Sequence, residues 1–229
     1  MKIEIWSDIG CPYCYIAMVR FYKALERFEH KNSVEIHLKS FELEPEIKVN
    51  GGETQNQAVM RKYRQGPEGA QRTLDQAKHA ATESGITINW DKVITTNSFN
   101  AHRLMHFAAT HGKAKEMEMR LFKAYFTDGA HIGDRNVLIG LADELCLDAK
   151  AVLENGRFSD EVRIDEYQAR SLDINSVPYM LFEDKYAVTG ARPEDEFLSM
   201  FSQFHHESLK KSIIDMDGSA GCVDGSCSI

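Results

Sequence analysis

The chain has 229 residues, enough for one large domain or a domain carrying an insertion, and too few for three domains of about 100–200 residues each. Lys plus Arg number 27 against 35 for Asp plus Glu; the net charge of −8 argues against a phosphate-backbone binder, so no nucleic-acid partner is expected. No apolar run approaches the roughly 20 residues that cross a bilayer, and collagen-like or low-complexity classes are excluded by the modest content of 15 Gly and 5 Pro.

The opening MKIEIWSDIGC has acidic residues at 4 and 8 and no apolar stretch of the signal-peptide kind. A soluble, cytoplasmic protein with no membrane partner is therefore expected. Lys2–Trp6 alternates polar and apolar residues as a strand does, and Ser7–Gly10 makes a turn. A helix follows with Pro12 in its first turn and a stripe of Cys14, Met18, Phe21, Leu25 and Phe28. Val34, Ile36 and Leu38 alternate again, which completes a βαβ unit with parallel strands.

From about 55 to 172 the strand signal nearly vanishes. Helices are expected over Gln55–Arg64, Ala70–Ser84, Ser98–His111, Glu116–Phe126, a segment capped by Asp134, Asp148–Asn155 and Asp160–Leu172. Strands return at Tyr179–Phe182 and Tyr186–Thr189 around a tight hairpin, and Pro193 opens a last helix reaching about His205. The pattern is α/β: a thioredoxin fold (β-α-β, then β-β-α) interrupted by a large all-helical insertion. Its parts are 1–54 (first half), 55–172 (insertion), 173–208 (second half) and 209–229, a small, polar, flexible tail.

Cysteine usage points to chemistry. The five cysteines are Cys11, Cys14, Cys146, Cys222 and Cys227. In a reducing compartment, paired cysteines indicate redox or metal work rather than a structural framework. Cys11-Pro12-Tyr13-Cys14 follows a strand directly and opens a helix. Disulfide exchange needs a thiolate, and the positive end of a helix with its unpaired N–H groups favours one. Cys14 begins the buried stripe, whereas Cys11 is expected to face solvent; Cys11 attacks and Cys14 resolves. The plainer readings are half a zinc site or two core thiols. Zinc needs four ligands and no neighbouring His or Cys supplies the rest, so no metal is expected.

The segments SDIGCPYCY, FELEP, NSFNAHRL (97–104), LFKAYFTDGAHIG (121–133) and NSVPYMLFEDKYAVTGARPEDEF resemble the DsbA family in its cytoplasmic FrnE-like subgroup. The match runs to about residue 204. The resemblance implies a thioredoxin fold with an inserted helical domain, and a cis bond at Val177–Pro178 that faces the cysteines and shapes the substrate edge. It also implies a thiol–disulfide oxidoreductase or isomerase with no bound cofactor, acting on thiol- or disulfide-bearing proteins or on glutathione, a possible reductant. One departure is informative: strongly oxidising secreted relatives carry a His between the cysteines, where this chain has Pro-Tyr. The rival readings are a glutathione-dependent isomerase or kappa-type transferase, which resembles the fold but uses a serine where Cys11 stands, and a redox-sensing, chaperone-like binding protein.

His102 and Arg103 are cleft candidates, set against a preferred reading as a polar packing network. Cys146, beside the stripe Val137, Leu138, Leu141 and Leu145, is expected to be a buried inert thiol. Trp6 is expected in the core or cleft wall. His205-His206 and Lys210-Lys211 read as solvated surface. Cys222 and Cys227 end the tail as C-x4-C and form a candidate second redox pair exchanging with Cys11–Cys14.

Overall fold

A computed structural model describes the chain through Asp217, with side chains through Ser208. β1 (Lys2–Ser7) and β2 (Glu35–Ser40) lie parallel, with Ile3 opposite Ile36 and Ile5 opposite Leu38. α1 (Pro12–Arg27) makes the crossover between them. β3 (Tyr179–Phe182) joins β1 on its other side and β4 (Tyr186–Thr189) joins β3, both antiparallel, giving the order β2-β1-β3-β4. Glu183 and Asp184, at φ of 53° and 54°, form the two central residues of the β3–β4 turn, the left-handed pair that matches strand twist.

Between β2 and β3 lie seven helices: α2 (Gln55–Tyr63), α3 (Pro67–Glu83), α4 (Phe99–Ala109), α5 (Ala114–Phe122), α6 (Arg135–Asp143), α7 (Lys150–Glu154) and α8 (Ser159–Ser171). α9 (Glu194–Asp217) closes the fold. This is the expected thioredoxin fold with its helical insertion. α1 is buried on more than one side because sheet, α9 and the insertion all pack on it. Phe21 shows why: its ring meets Phe197 at 5.6 Å and Phe201 at 5.1 Å, both edge to face.

Boundaries shift where local chemistry overrides pattern. α3 begins three residues earlier than expected, because Pro67 suits a first helical position. α5 widens into a π turn over Lys123–Asp128 before Gly129 stops it at φ 74°. α9 runs past His205 into the segment read as tail, where no Gly or Pro interrupts the sequence before Gly218. Cys222 and Cys227 lie outside the described residues.

A smaller cluster under α8 contains Trp6, Ala169 and Ile174. Trp6 is core, its indole N–H donating to the Asp165 carbonyl at 3.2 Å. His205 is not simply solvated, since its ring stacks on His30 at 4.6 Å and meets Phe28 edge-on. Cys146 is a correction. It is exposed, because at φ 56° just after α6 it turns outward while Leu147 folds back into the core.

Candidate active site at the start of α1

The turn after β1 is built on one carboxylate. Asp8 accepts the Gly10 N–H at 2.9 Å and the Leu43 N–H at 2.7 Å, and its own carbonyl accepts the Cys11 N–H at 3.0 Å. This fixes Cys11 in the extended conformation of an N-cap (φ −99°, ψ 114°). Its sulfur does what a capping oxygen does elsewhere, accepting the Cys14 N–H at 3.3 Å. The Cys11 thiol also donates to the Val177 carbonyl at 3.7 Å. The Val177–Pro178 peptide bond is cis.

Cys14 is completely buried on the first turn. Burial first, and proximity to Cys11 second, push its thiol well above the ordinary range. Cys11 departs from the solvent-facing position expected of it: 5% of its surface is exposed. It lies on the floor of a pocket of about 360 Å³ between the start of α1, the 175–177 loop and the helical insertion. Tyr13, Tyr63, Leu74, Trp90, Tyr125 and Val177 line the walls, so helices far away in sequence cover the sulfur. Both thiols are free.

Behind this turn is a buried polar cluster. His102 is wholly buried, with Nε2 3.5 Å from Asp8 Oδ1, and neither ring nitrogen makes a well-aligned hydrogen bond. Burial favours the neutral ring, yet Asp8 raises its pKa, with smaller help from Glu42 and Glu166. Glu118 is also wholly buried; burial lifts its pKa to about 7, against hydroxyl donors from Ser7 (3.1 Å) and Tyr22 (3.3 Å). Glu42 reaches about 7 as well, through burial and the neighbouring Glu166 carboxyl, with Arg163 bridging the two at 2.8 and 2.7 Å.

The fold thus gathers Cys11, Cys14, Val177 and Pro178 at one point, with His102 behind them. Arg103 is elsewhere: buried, it donates to the Arg157 carbonyl at 2.8 Å, to Asn100 Oδ1 at 2.7 Å and to the Val152 carbonyl, holding α4 to α7. Sequence reasoning missed Asp8, Glu118, Lys62 and Tyr63. Glu118 carried a usable signal, for it shares a helical face with Met117, Leu121 and Phe122, all buried.

A family model described as a DSBA-like thioredoxin domain matches residues 2–202. The chain is 26% identical to the uncharacterized protein YwbO of Bacillus subtilis over 205 residues, 86% of this chain and 94% of the relative. The crystal structure of a probable DsbA oxidoreductase from Streptomyces coelicolor superposes with a TM-score of 0.83 at 30% identity, covering 99% of this chain and 94% of that one. The cytosolic disulfide reductase DsbM of Pseudomonas aeruginosa, solved with GSH, shares the fold at 14% identity and a TM-score of 0.63, covering 90% of this chain and 100% of that one.

Proposed function

Because the chain belongs to the DSBA-like thioredoxin domain family, we propose that it is a thiol–disulfide oxidoreductase working through Cys11 and Cys14. One observation carries this reading. Cys11 caps α1 on the floor of an open pocket, while Cys14, one turn on, is sealed from solvent. A substrate disulfide entering the pocket meets the Cys11 sulfur first. The Cys11 thiolate attacks, a mixed disulfide forms and one substrate thiolate leaves. Cys14 then attacks Cys11, the Cys11–Cys14 disulfide forms, and the second substrate thiol departs with the proton Cys14 gives up. Two electrons pass from the dithiol to the substrate, and the reverse sequence oxidises a substrate dithiol.

The shielding of Cys14 gives the two sulfurs different duties: a raised pKa keeps it a thiol until the mixed disulfide holds it against its target. Val177 supports the substrate edge, since its carbonyl points at Cys11 and lies beside the entering disulfide. We place the protein in the FrnE-like subgroup and in the cytoplasm, where a glutathione pool returns the pair to the dithiol. Glutathione is the proposed small-thiol partner.

The test is turnover. The purified protein should catalyse insulin reduction by dithiothreitol, Cys11→Ser should abolish it, and Cys14→Ser should accumulate mixed disulfides on Cys11, visible by intact mass. A wild-type protein whose cysteines oxidise and reduce without accelerating any substrate's exchange would instead be a redox sensor. The equilibrium potential against glutathione then separates reductase from oxidant: thioredoxin stands near −270 mV and DsbA near −120 mV.

A further inference from the structure

The pocket that holds Cys11 is lined by three residues with formally charged side chains, and they are not equivalent. Asp8 is 4% exposed and its oxygens are committed to two backbone N–H groups and to His102. Glu44 is held by Arg61 at 2.7 Å. Lys62 is the exception. It sits on the last turn of α2 and lines the pocket, and among the described residues it meets no carboxylate; its ammonium stands 5.9 Å from the Tyr63 ring centre.

Its backbone position is fixed. The neighbouring Arg61 grips Glu53 through two nitrogens, at 3.0 and 2.9 Å, as well as Glu44. At the other end of α2, Thr54 and Gln57 form a capping box, and the Gln55 amide reaches Thr95 and Tyr125 at 3.1 Å each. Tyr63 and Tyr13 in turn lie close enough to Cys11 for its charge to raise their phenol pKa values, after burial as the main cause. A cation with no carboxylate partner among the described residues thus lies on the wall of the pocket whose floor is the attacking sulfur, in a protein of net charge −8.

We propose that Lys62 selects substrates by charge, and that the pocket takes low-molecular-weight disulfides whose arms carry a carboxylate. This rests on the oxidoreductase reading of the same site. The carboxylate of one arm pairs with the Lys62 ammonium while the S–S bond reaches Cys11. Cys11 displaces one arm as its thiolate and the Cys11–arm disulfide forms. Cys14 then attacks Cys11, closing the Cys11–Cys14 disulfide and releasing the second arm as a thiol with the proton Cys14 gives up. The dithiol is thus oxidised by two electrons and the substrate disulfide reduced by two. The volume agrees, since small-ligand pockets begin at about 300 Å³.

Three disulfides with two-carbon arms differ in arm charge, namely 3,3′-dithiodipropionate (anionic), 2-hydroxyethyl disulfide (neutral) and cystamine (cationic). Their unequal leaving-thiol pKa values cancel when the same set is compared across variants. The second-order rate constant for oxidation of the reduced protein by each disulfide, one equivalent per dithiol, is measured in wild type, Lys62→Gln and Lys62→Glu. The anionic-to-cationic rate ratio of wild type should exceed that of Lys62→Gln by about ten-fold, the equivalent of roughly 1.4 kcal/mol. Lys62→Glu should lower the ratio further still, and added salt should draw the wild-type ratio toward that of Lys62→Gln. An anionic-to-cationic ratio unchanged across the three proteins overturns the proposal. If wild type consumes none of the three and Cys11→Ser behaves identically, the oxidoreductase reading itself falls, an outcome distinct from loss of charge preference alone.

Discussion

Asp8 and His102 form a buried pair directly behind the Cys-Pro-Tyr-Cys turn, 3.5 Å apart, with the imidazole wholly removed from solvent. Burial opposes the Asp8 charge, but His102 and the Leu43 and Gly10 N–H groups outweigh it and hold the carboxyl below its ordinary pKa. Asp8 therefore stabilises the fold above the ordinary carboxylate pKa, and that stability is lost as pH falls through its lowered value. His102 is raised, so its share is complete below pH 6.5 and is lost as pH climbs through the raised value.

Replacing either partner alone strands the other, at about 3–5 kcal/mol for a broken buried pair. His102→Leu and Asp8→Asn should each lower the urea midpoint markedly, and the double variant should lose less than the sum. The coupling should be larger at pH 6 than at pH 8.5. Additive losses at pH 6 would show that the two side chains do not act together.

Glu118 sets a second pH dependence. Its pKa, raised by burial from 4.5 to about 7, means that the folded state prefers the protonated acid. Its contribution is complete below pH 4.5 and is lost as pH rises through about 7, a span worth up to roughly 3 kcal/mol. Glu42 and His102 act in the same direction. Stability should fall between pH 5 and pH 8, and Glu118→Gln, a neutral stand-in whose amide oxygen accepts from one of the Ser7 and Tyr22 hydroxyls while its NH2 donates to the other, should flatten the slope. Melting curves across that range decide it; a variant as steep as wild type would remove Glu118 from the account.

Arg61 holds α2 across the active-site pocket through Glu44 and Glu53, but nearly half of its side chain is exposed (48%). Exposed pairs contribute about 1 kcal/mol or less. Arg61→Ala should thus leave global stability nearly unchanged while the amides of α2 exchange faster with deuterium. Unchanged exchange over Gln55–Tyr63 would mean that the capping box and the Gln55 contacts hold the helix unaided.

Most of the frame was legible because it rests on local periodicity. The alternation of Ile3 and Ile5, the hairpin at 183–185 and the Asp134 cap, which accepts N–H groups from Asn136 and Val137, each follow from a few adjacent residues. The cysteine pair was legible for the same reason, being four consecutive residues at a strand–helix junction. What escaped depends on contacts across the chain. The burial of Cys11 comes from α2, α3 and the 175–177 loop, and the pairing of Asp8 with His102 spans ninety-four positions. Cys146 escaped because one left-handed residue, not the stripe before it, decides which way its side chain turns.

Arg103 separates the two roles that the neighbouring pair His102-Arg103 could play. Its three donors satisfy the Arg157 and Val152 carbonyls and the Asn100 side chain, so it joins α4 to α7 and touches nothing in the Cys11 pocket. Removing it leaves buried carbonyls without donors, each worth about 1–3 kcal/mol. Arg103→Ala should therefore lower stability by roughly 2–4 kcal/mol, seen as a fall in melting temperature of about 5–15 °C for a chain of this size. Arg103→Lys should recover little of it, because one ammonium cannot span three acceptors set out for a planar fork. At a temperature where both variants remain folded, disulfide turnover per folded molecule should match wild type. The opposite pattern, a normal melting temperature with turnover reduced ten-fold or more, would move Arg103 out of the scaffold and into the cleft.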